Sequence, residues 1–228
     1  MKSLKKILMM TACFSLALAF LAFAEEVKAP AKVPAVVAAP AAVPAPTPVE
    51  KTTLDNLQAA FNGEKNAHAR YLAFAKKADE EGYGKVASLF RAASRAEQVH
   101  FERHAKLILA LGAVPAAILE TTVVKTTAEN LETAMKGEIY ESTVMYPEFL
   151  ARAQKDKNKG AIDVFEDAGK AEAVHAGLYK RALGDLAGWK GKNQPFFVCP
   201  VCGNVMENMK SATCPICETS RRRFLEVQ

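Results

Sequence analysis

Apolar residues recur at spacings of three and four along four segments between positions 52 and 187, and no segment there alternates as a β-strand does. This pattern predicts four amphipathic α-helices. The first extends over about residues 53–81 and the second over about 85–111, and each ends before a glycine. The third extends over about 126–155 and the fourth over about 160–187. Because most connections are short, the pattern predicts an all-α fold with a four-helix bundle.

Two local signals shape the third predicted helix. Thr126 is followed three residues later by Glu129, a capping box that marks the helix start. Pro147 lies inside the helix, where proline removes a backbone donor and clashes with the preceding turn. We therefore expect a bend or a break near Pro147, and a longer connection over residues 112–125 before the helix begins.

The two halves of the predicted bundle carry an internal repeat. Asn-Leu at 56–57 and Gly-Glu at 63–64 recur 74 residues later, and the Glu-x-x-His at 97–100 recurs 75 residues later, at 172–175. Each half therefore supplies one single glutamate and one Glu-x-x-His pair. We interpret the first two helices as related to the last two, with the halves facing each other.

The repeated glutamates and histidines fall on the inward faces of their helices, where apolar residues are expected. Burial of a carboxylate costs on the order of several kcal/mol unless a positive charge offsets it, and no lysine or arginine falls on these faces. A metal ion would supply that charge, and carboxylates with imidazoles favour iron or manganese. The candidate ligands are Glu64, Glu97, His100, Glu138, Glu172 and His175, and Glu141, one turn after Glu138, is a seventh.

The complete set is more specific than either motif alone. A single Glu-x-x-His arises by chance or on a charged surface, whereas two copies in register with two further glutamates favour a metal site. One glutamate from each of two helices and Glu-x-x-His from each of the other two is the known arrangement of ferritin-like di-iron proteins. We expect His104 to lie behind the ligands or in the core, and His68 at the surface.

The C-terminal segment carries two tight cysteine pairs, Cys199-x-x-Cys202 and Cys214-x-x-Cys217, which predict a tetrahedral four-thiolate metal site. Two disulfides are the alternative in an exported chain. However, a Cys-x-x-Cys pair is a poor structural disulfide, and a module this small needs a cross-link such as a bound metal to stabilise its fold. Iron and zinc both fit four thiolates. The knuckle sequences resemble those of rubredoxin, although Glu218 stands where rubredoxins usually have glycine, which weakens the case for iron over zinc.

The N-terminal region has the sequence pattern of an export signal. Three lysines in the first six residues precede an apolar run over 7–23 that closes on Ala-Phe-Ala, which predicts a signal peptide over residues 1–24 and a periplasmic location. An uncleaved inner-membrane anchor is the alternative, because residues 7–24 are just long enough to span a bilayer. Residues 25–51, rich in Ala, Val and Pro, predict an extended tether.

The remaining organisation follows from these segments. We predict a bundle over residues 52–187, a linker over 188–195 and a four-cysteine domain over 196–228. The formal net charge of +5 falls to +2 without residues 1–24, because that segment holds three lysines and no acid. So small a charge argues against nucleic-acid binding.

Together, the ligand series and the four-cysteine module resemble rubrerythrin over residues 52–228. The resemblance implies a di-iron site held by the seven ligands named above, with Glu141 as the feature that separates the family from plain ferritins. It also implies that Tyr71 and Tyr146 lie beside the ligands. Most members of the family are cytoplasmic, so the predicted leader is a departure that indicates an exported variant.

The resemblance also implies an activity. Hydrogen peroxide would be reduced to water at the two irons, and one iron in the four-cysteine site would relay electrons from an unidentified donor protein. A head-to-tail homodimer would place the module of one chain near the di-iron site of the other, with Gly184, Gly188 and Gly191 as a hinge.

The sequence is also compatible with two other functions. The bundle could act as a ferroxidase that oxidises Fe(II) and passes it on, which would not require the four-cysteine module. The module could instead be a zinc ribbon that serves for docking alone.

Overall fold

The computed structural model describes residues 50–228, and the helical segments predicted from the sequence are all present. The first two helices form one antiparallel hairpin, and the remaining helices form a second hairpin that packs against it. This arrangement confirms the predicted four-helix bundle. The bounds are α1 Thr53–Glu80, α2 Gly84–Ala110, α3 Thr127–Tyr140, α4 Tyr146–Lys155 and α5 Lys159–Gly184, with a π-helical turn, Glu141–Met145, between α3 and α4.

The helix ends follow the signals in the sequence. Glu129 accepts hydrogen bonds from the Thr126 hydroxyl at 2.6 Å and from the Thr126 N–H at 3.2 Å, so the predicted capping box of α3 is confirmed. Gly82 and Gly112 follow the ends of α1 and α2 with φ angles of 77° and 79°. Only glycine adopts this left-handed backbone without strain, which explains why both helices stop there.

The bend expected near Pro147 takes the form of a π-helical turn. The Tyr146 N–H donates to the carbonyl of Glu141, five residues earlier, and Pro147 itself has no N–H to donate. The chain therefore continues as a helix with one widened turn. As a result, Tyr146 faces the bundle interior, where it is 1% exposed.

The long connection between α2 and α3 lies along α1 and is held there by amide side chains. Asn66 donates to the Ile118 carbonyl at 2.9 Å and accepts from the Glu120 N–H at 2.8 Å. Asn62 and Gln58, one and two turns earlier on α1, bind other backbone groups of the connection in the same way. These side chains replace the backbone partners that a strand would find in a sheet.

The C-terminal module is a small antiparallel sheet attached to the bundle. Its first strand contributes Phe196 and Val198, both fully buried, to the same apolar core as α2 and α5. Trp189, 5% exposed, stacks on Phe196 with ring centroids 6.3 Å apart. The strands are β1 Phe196–Val198, β2 Val205–Met206 and β3 Leu225–Val227, in the order β2-β1-β3.

The segment that joins bundle and module is fixed to the turn between α1 and α2. The Gly191 N–H donates to the Gly82 carbonyl at 3.0 Å, and the Gly84 N–H donates to the Gly191 carbonyl at 3.1 Å. The Lys85 ammonium lies 4.1 Å from the centre of the buried Trp189 ring. Gly191, one of the three glycines expected to form a hinge, is therefore held in a packed connection in this structure.

The N-terminal predictions lie outside the described residues. The signal peptide over 1–24 and nearly all of the tether over 25–51 precede the first described residue, Glu50. Within the part of the chain that the structure describes, no helix combines the length and apolar character that crossing a bilayer requires.

Gly84→Ala tests the fixed connection. A Cβ at Gly84 would overlap the Gly191 carbonyl oxygen, so we expect the free energy of unfolding to fall by about 1–3 kcal/mol in urea denaturation. Gly177→Ala on α5 is the matched control, because nothing lies within 4 Å of the added methyl group. It should instead stabilise by about 0.5–1 kcal/mol through helix propensity. Equal effects of the two substitutions would contradict the packed connection.

Candidate metal centres in the bundle and the module

Six of the seven predicted bundle ligands converge at the centre of the bundle. They form two groups of four, and in each group the ligand atoms lie within 4.8 Å of one another. Both groups contain Glu97 and Glu172, which come from the facing helices α2 and α5. Two shared carboxylates between two sets of terminal ligands are the arrangement of a two-metal site. The groups are Glu64, Glu97, His100 and Glu172, and Glu97, Glu138, Glu172 and His175.

The carboxylates of this cluster are buried without enough hydrogen-bond donors. The four glutamates are 0% exposed, and one oxygen each of Glu64, Glu97 and Glu138 has no hydrogen-bond partner among the described residues. A buried, unpaired carboxylate oxygen costs several kcal/mol, so a cation is the group that fits this cavity. The donor set of oxygens and imidazole nitrogens suits iron or manganese.

The orientation of both histidines points to the same conclusion. His100 Nε2 lies 2.9 Å from the Cys202 carbonyl, and His175 Nε2 lies 3.1 Å from the Gly203 carbonyl. A carbonyl only accepts, so each Nε2 carries a proton and a neutral ring turns the Nδ1 lone pair inward. Those Nδ1 atoms lie 2.8 and 2.7 Å from the two oxygens of Glu172. Lone pairs facing carboxylate oxygens repel unless a cation lies between them.

The protonation equilibria show how strongly the cluster attracts positive charge. Burial raises the pKa of Glu64 and Glu141 well above the ordinary range. Burial and the charge of Glu172 raise the pKa of Glu97 to about 7. Burial alone would lower the pKa of His100, but Glu172 outweighs it and the pKa rises. Without metal, protons therefore take up the charge that cations would otherwise balance.

Two tyrosines connect the halves of the site crosswise. Tyr71, in the first half, donates to Glu138 Oε1 at 2.7 Å, and Tyr146, in the second half, donates to Glu64 Oε1. His104 Nε2 lies 3.1 Å from the Tyr146 hydroxyl. Since that hydroxyl already donates to Glu64, His104 must donate to it. Burial lowers the pKa of His104 to about 3, so the ring stays neutral.

Three placements differ from expectation or extend it. Glu141 is 9% exposed and lies on the π-helical turn, but it belongs to neither group of converging ligands, so its role as a ligand stays a prediction. His68, expected at the surface, is half-buried with Nδ1 2.9 Å from the Ser94 hydroxyl. Tyr179 is a further residue near the site that the sequence motifs do not identify. Its buried hydroxyl has no partner within residues 50–228, and its ring packs 5.7 Å from that of Tyr71.

The four cysteines of the module converge as predicted. Cys199 and Cys217 have sulfur atoms 3.5 Å apart, as do Cys202 and Cys214, and all four are free. These separations are too long for disulfides and approach the edge, about 3.8 Å, of a tetrahedron with metal–sulfur bonds of about 2.3 Å. The geometry therefore favours the predicted four-thiolate metal site over two disulfides.

The two cysteine knuckles share one backbone shape. In the first knuckle, residues 199–203, Gly203 has a φ of 75°, and in the second, residues 214–218, Glu218 has a φ of 60°. Each N–H donates to the first cysteine carbonyl of its knuckle at 3.0 Å. Glu218 thus preserves the knuckle, although left-handed backbone disfavours it. Only Gly203 also needs space, because a Cβ there would overlap the His100 ring.

The module lies against the bundle of its own chain in this structure. The first knuckle faces both ligand histidines, and Glu207 of the module lies 3.2 Å from Lys85 of α2. A head-to-tail homodimer, in which this contact would form between two chains, stays a prediction.

Gly203→Ala tests the coupling between module and bundle. The added methyl group would displace the knuckle and remove the carbonyl partners of both histidines, so we expect the iron affinity of the bundle to fall about 10- to 100-fold. Anaerobic metal titration measures this. Glu218→Ala, at the equivalent but exposed position, is the matched control and should leave the affinity unchanged. Equal losses would mean that the knuckle does not orient the histidines.

A carbodiimide cross-link tests the contact within one chain. The reagent joins amines to adjacent carboxylates, so it should couple Lys85 to Glu207. Isotope-labelled and unlabelled protein, refolded together, should yield cross-linked peptides that are wholly labelled or wholly unlabelled in mass spectrometry. Mixed peptides would show that the module docks on another chain. Glu207→Gln, which lacks the carboxylate, identifies the specific product.

Comparisons with known proteins agree with the geometry. The chain matches the Rubrerythrin family over residues 55–183. Nigerythrin from Nitratidesulfovibrio vulgaris is 38% identical over 177 residues, which cover 76% of this chain and 85% of that protein. Rubrerythrin-2 from Clostridium acetobutylicum is 31% identical over 175 residues, which cover 75% of this chain and 95% of that protein.

Solved structures extend the match to three dimensions. Fully reduced, all-ferrous nigerythrin has a TM-score of 0.72 and 36% identity, covering 78% of this chain and 87% of that one. A bacterioferritin from Desulfovibrio desulfuricans has a TM-score of 0.58 at 22% identity over 62% of this chain and 88% of its own, which shows a shared fold alone. The resemblance inferred from the ligand series and the cysteine module is therefore confirmed, and this chain is a member of the rubrerythrin family of di-iron proteins.

Proposed function

We propose that this protein is a peroxidase that reduces hydrogen peroxide to water at a di-iron site, with electrons relayed by a single iron in the four-cysteine site. The similarity to nigerythrin, which has been described in an all-ferrous state, supports iron in both sites. So do the donor sets, which are carboxylate with imidazole in the bundle and four thiolates in the module. The periplasmic location is part of this proposal and rests on the leader sequence.

The observation that carries the proposal is the direct link between the two metal sites. Cys202 supplies a thiolate to one site, and its own carbonyl accepts a hydrogen bond from His100, a ligand of the other site, at 2.9 Å. One residue and one hydrogen bond therefore span the gap. A ferroxidase would have no use for such a link, whereas an enzyme that must be re-reduced after each turnover requires one.

The chain supplies protons where the reaction needs them. Reduction of peroxide to two waters takes up two electrons and two protons, and iron, when bound, supplies the electrons and Lewis acidity. His104 donates to Tyr146, and Tyr146 donates to Glu64, which gives a continuous path for one proton. The Tyr71 hydroxyl, which donates to Glu138 Oε1, holds a second proton beside the site. Burial raises the pKa of both phenols well above the ordinary range, so both stay protonated.

The surroundings of Tyr146 indicate how a small substrate reaches the site. A surface cavity of about 380 Å³ is lined by Tyr146, Pro147 and Phe165, among others. Tyr146 separates this cavity from Glu64, so a small movement of its ring would admit peroxide while larger solutes stay outside. On its inner side, Tyr146 packs among buried aromatic side chains, including Phe149 and Phe165, which keep bulk water away from the carboxylates.

Replacement of the relay iron tests the function. Protein with iron in the bundle and zinc at the four cysteines keeps both knuckles but cannot pass electrons, and Cys199→Ser with Cys214→Ser removes the site. In both forms we expect peroxide turnover driven by reduced flavodoxin to fall to background, while chemically reduced bundle still consumes about one equivalent of peroxide. Metal analysis of the unmodified protein, prepared without oxygen, should give three irons per chain. Turnover that survives either change would refute the relay.

The same preparations separate the other functions. A reduced bundle that oxidises added Fe(II) but does not consume peroxide would indicate a ferroxidase. Purified protein that holds zinc in the module, with undiminished turnover, would indicate a docking ribbon.

A further inference from the structure

The two knuckles of the four-cysteine site face different surroundings. In the first, Cys199 and Cys202 are 0% exposed and Gly203 is buried against His100. In the second, Pro215 is exposed and Cys217 is half-buried. The metal site therefore has one edge that faces the di-iron site and one edge that faces solvent. Electron transfer falls off steeply with distance, so an external donor must approach the second knuckle.

Positive charge flanks this solvent-facing edge. Arg221–Arg223 form a short turn in which all three side chains are exposed. The turn is fixed beside the second knuckle, because the Arg221 N–H donates to the Ala212 carbonyl at 3.0 Å and the Cys214 N–H donates to the Thr219 carbonyl at 2.8 Å. Phe224, the next residue, packs on the cysteine cluster.

The acidic residues of the module reduce this positive charge only in part. Glu218, on the second knuckle itself, is exposed, so Arg221–Arg223 leave a net charge of +2 beside it (3 − 1). Glu207 faces the bundle, where Lys85 and Arg181 neutralise it. Arg221 is partly used within the module, since its Nη1 donates to the Met209 carbonyl at 3.1 Å. The side chains of Arg222 and Arg223 make no ion pair within residues 50–228, so their charge is directed at solvent beside the exposed knuckle.

We propose that the second knuckle, with Arg222 and Arg223, is the docking surface for a small acidic one-electron carrier protein. The inference rests on the proposed electron relay and identifies where the relay is loaded. In the step itself, the reduced carrier loses one electron and the ferric four-cysteine iron gains it, with no bond or proton transferred. Opposite charges raise the encounter rate of such partners, and the nearby half-buried Cys217 gives the shortest path to the metal.

Charge reversal tests the surface without involving peroxide. Arg222→Glu with Arg223→Glu leaves Arg221 and its structural bond in place. Lys51→Glu with Lys106→Glu is the matched control, because it makes the same change in net charge at the opposite end of the α1–α2 hairpin. The full, iron-loaded chains are reduced in a stopped-flow instrument, and loss of the ferric four-cysteine absorbance is followed with two reductants. One is reduced flavodoxin, an acidic protein, and the other is reduced methyl viologen, a small cation.

The arginine substitutions should change the reduction rate differently for the two reductants. At low ionic strength, the arginine variant should be reduced by flavodoxin about tenfold more slowly, and this difference should disappear as salt is added. Reduction by methyl viologen should be unchanged or faster. The lysine control should behave as the unmodified chain with both reductants. An unchanged flavodoxin rate, or equal slowing with both reductants, would overturn the proposal and leave the arginines as a solvated face.

A binding measurement removes any dependence on redox activity. Zinc-loaded full-length chains, titrated with oxidised flavodoxin, should show a Kd about tenfold weaker for the arginine variant than for the lysine control. Equal Kd values would also overturn the proposal. Neither experiment uses peroxide, so the docking surface and the proposed function are tested separately. If the arginine variant is reduced more slowly by flavodoxin but the unmodified protein has no peroxidase activity, the docking surface stands and the proposed function fails.

Discussion

The structure depends on one constraint, which is that four fully buried carboxylates need cations among them. Glu64, Glu97, Glu138 and Glu172 are all 0% exposed, and within residues 50–228 their ion pairs are with histidines and not with any lysine or arginine. In a protein core of this kind the electrostatic cost would exceed the stability of a typical domain if nothing offset it. The helices that carry these residues can therefore pack as they do only because metal, or in its absence protons, balances the charge.

The same constraint explains why the module and the bundle form one structural unit. A histidine ligand must present one nitrogen to the metal and direct the other, as a donor, to a fixed acceptor. Here the acceptors are the Cys202 and Gly203 carbonyls, so the first knuckle completes the bundle site. The contact leaves no space for a side chain at Gly203. In the second knuckle the equivalent position is exposed, which is why Glu218 can occupy it.

Much of this arrangement was predictable, because its signals are local in the sequence. Helical periodicity, the capping box at Thr126 and the repeated Glu-x-x-His gave the helices and six converging ligands. The hydrogen bonds from the histidines to the knuckle were not predictable, because they join residues 28 and 102 positions apart. The same holds for the fixed connection at Gly191. These contacts depend on how complete helices and strands pack against each other, and the periodicity within one helix or strand carries no information about that packing.

The π-helical turn is a different case, because the sequence did contain its signal. The offset between the two halves is 74 residues at Glu64 and Glu138 but 75 at Tyr71 and Tyr146, so the second half has one additional residue between these points. A regular α-helix would rotate everything after an added residue by about 100° and turn Tyr146 away from the site.

The widened turn, Glu141–Met145, absorbs the additional residue instead. Tyr146 consequently keeps the position that mirrors Tyr71, and each tyrosine donates to the single glutamate of the opposite half. The two hydrogen bonds are thus related by the internal symmetry of the bundle, even though only the second half contains the additional residue. The insertion also brings Glu141 onto the distorted turn, where the first half has only Ala67. The second half can therefore supply a carboxylate to the site for which the first half has no equivalent.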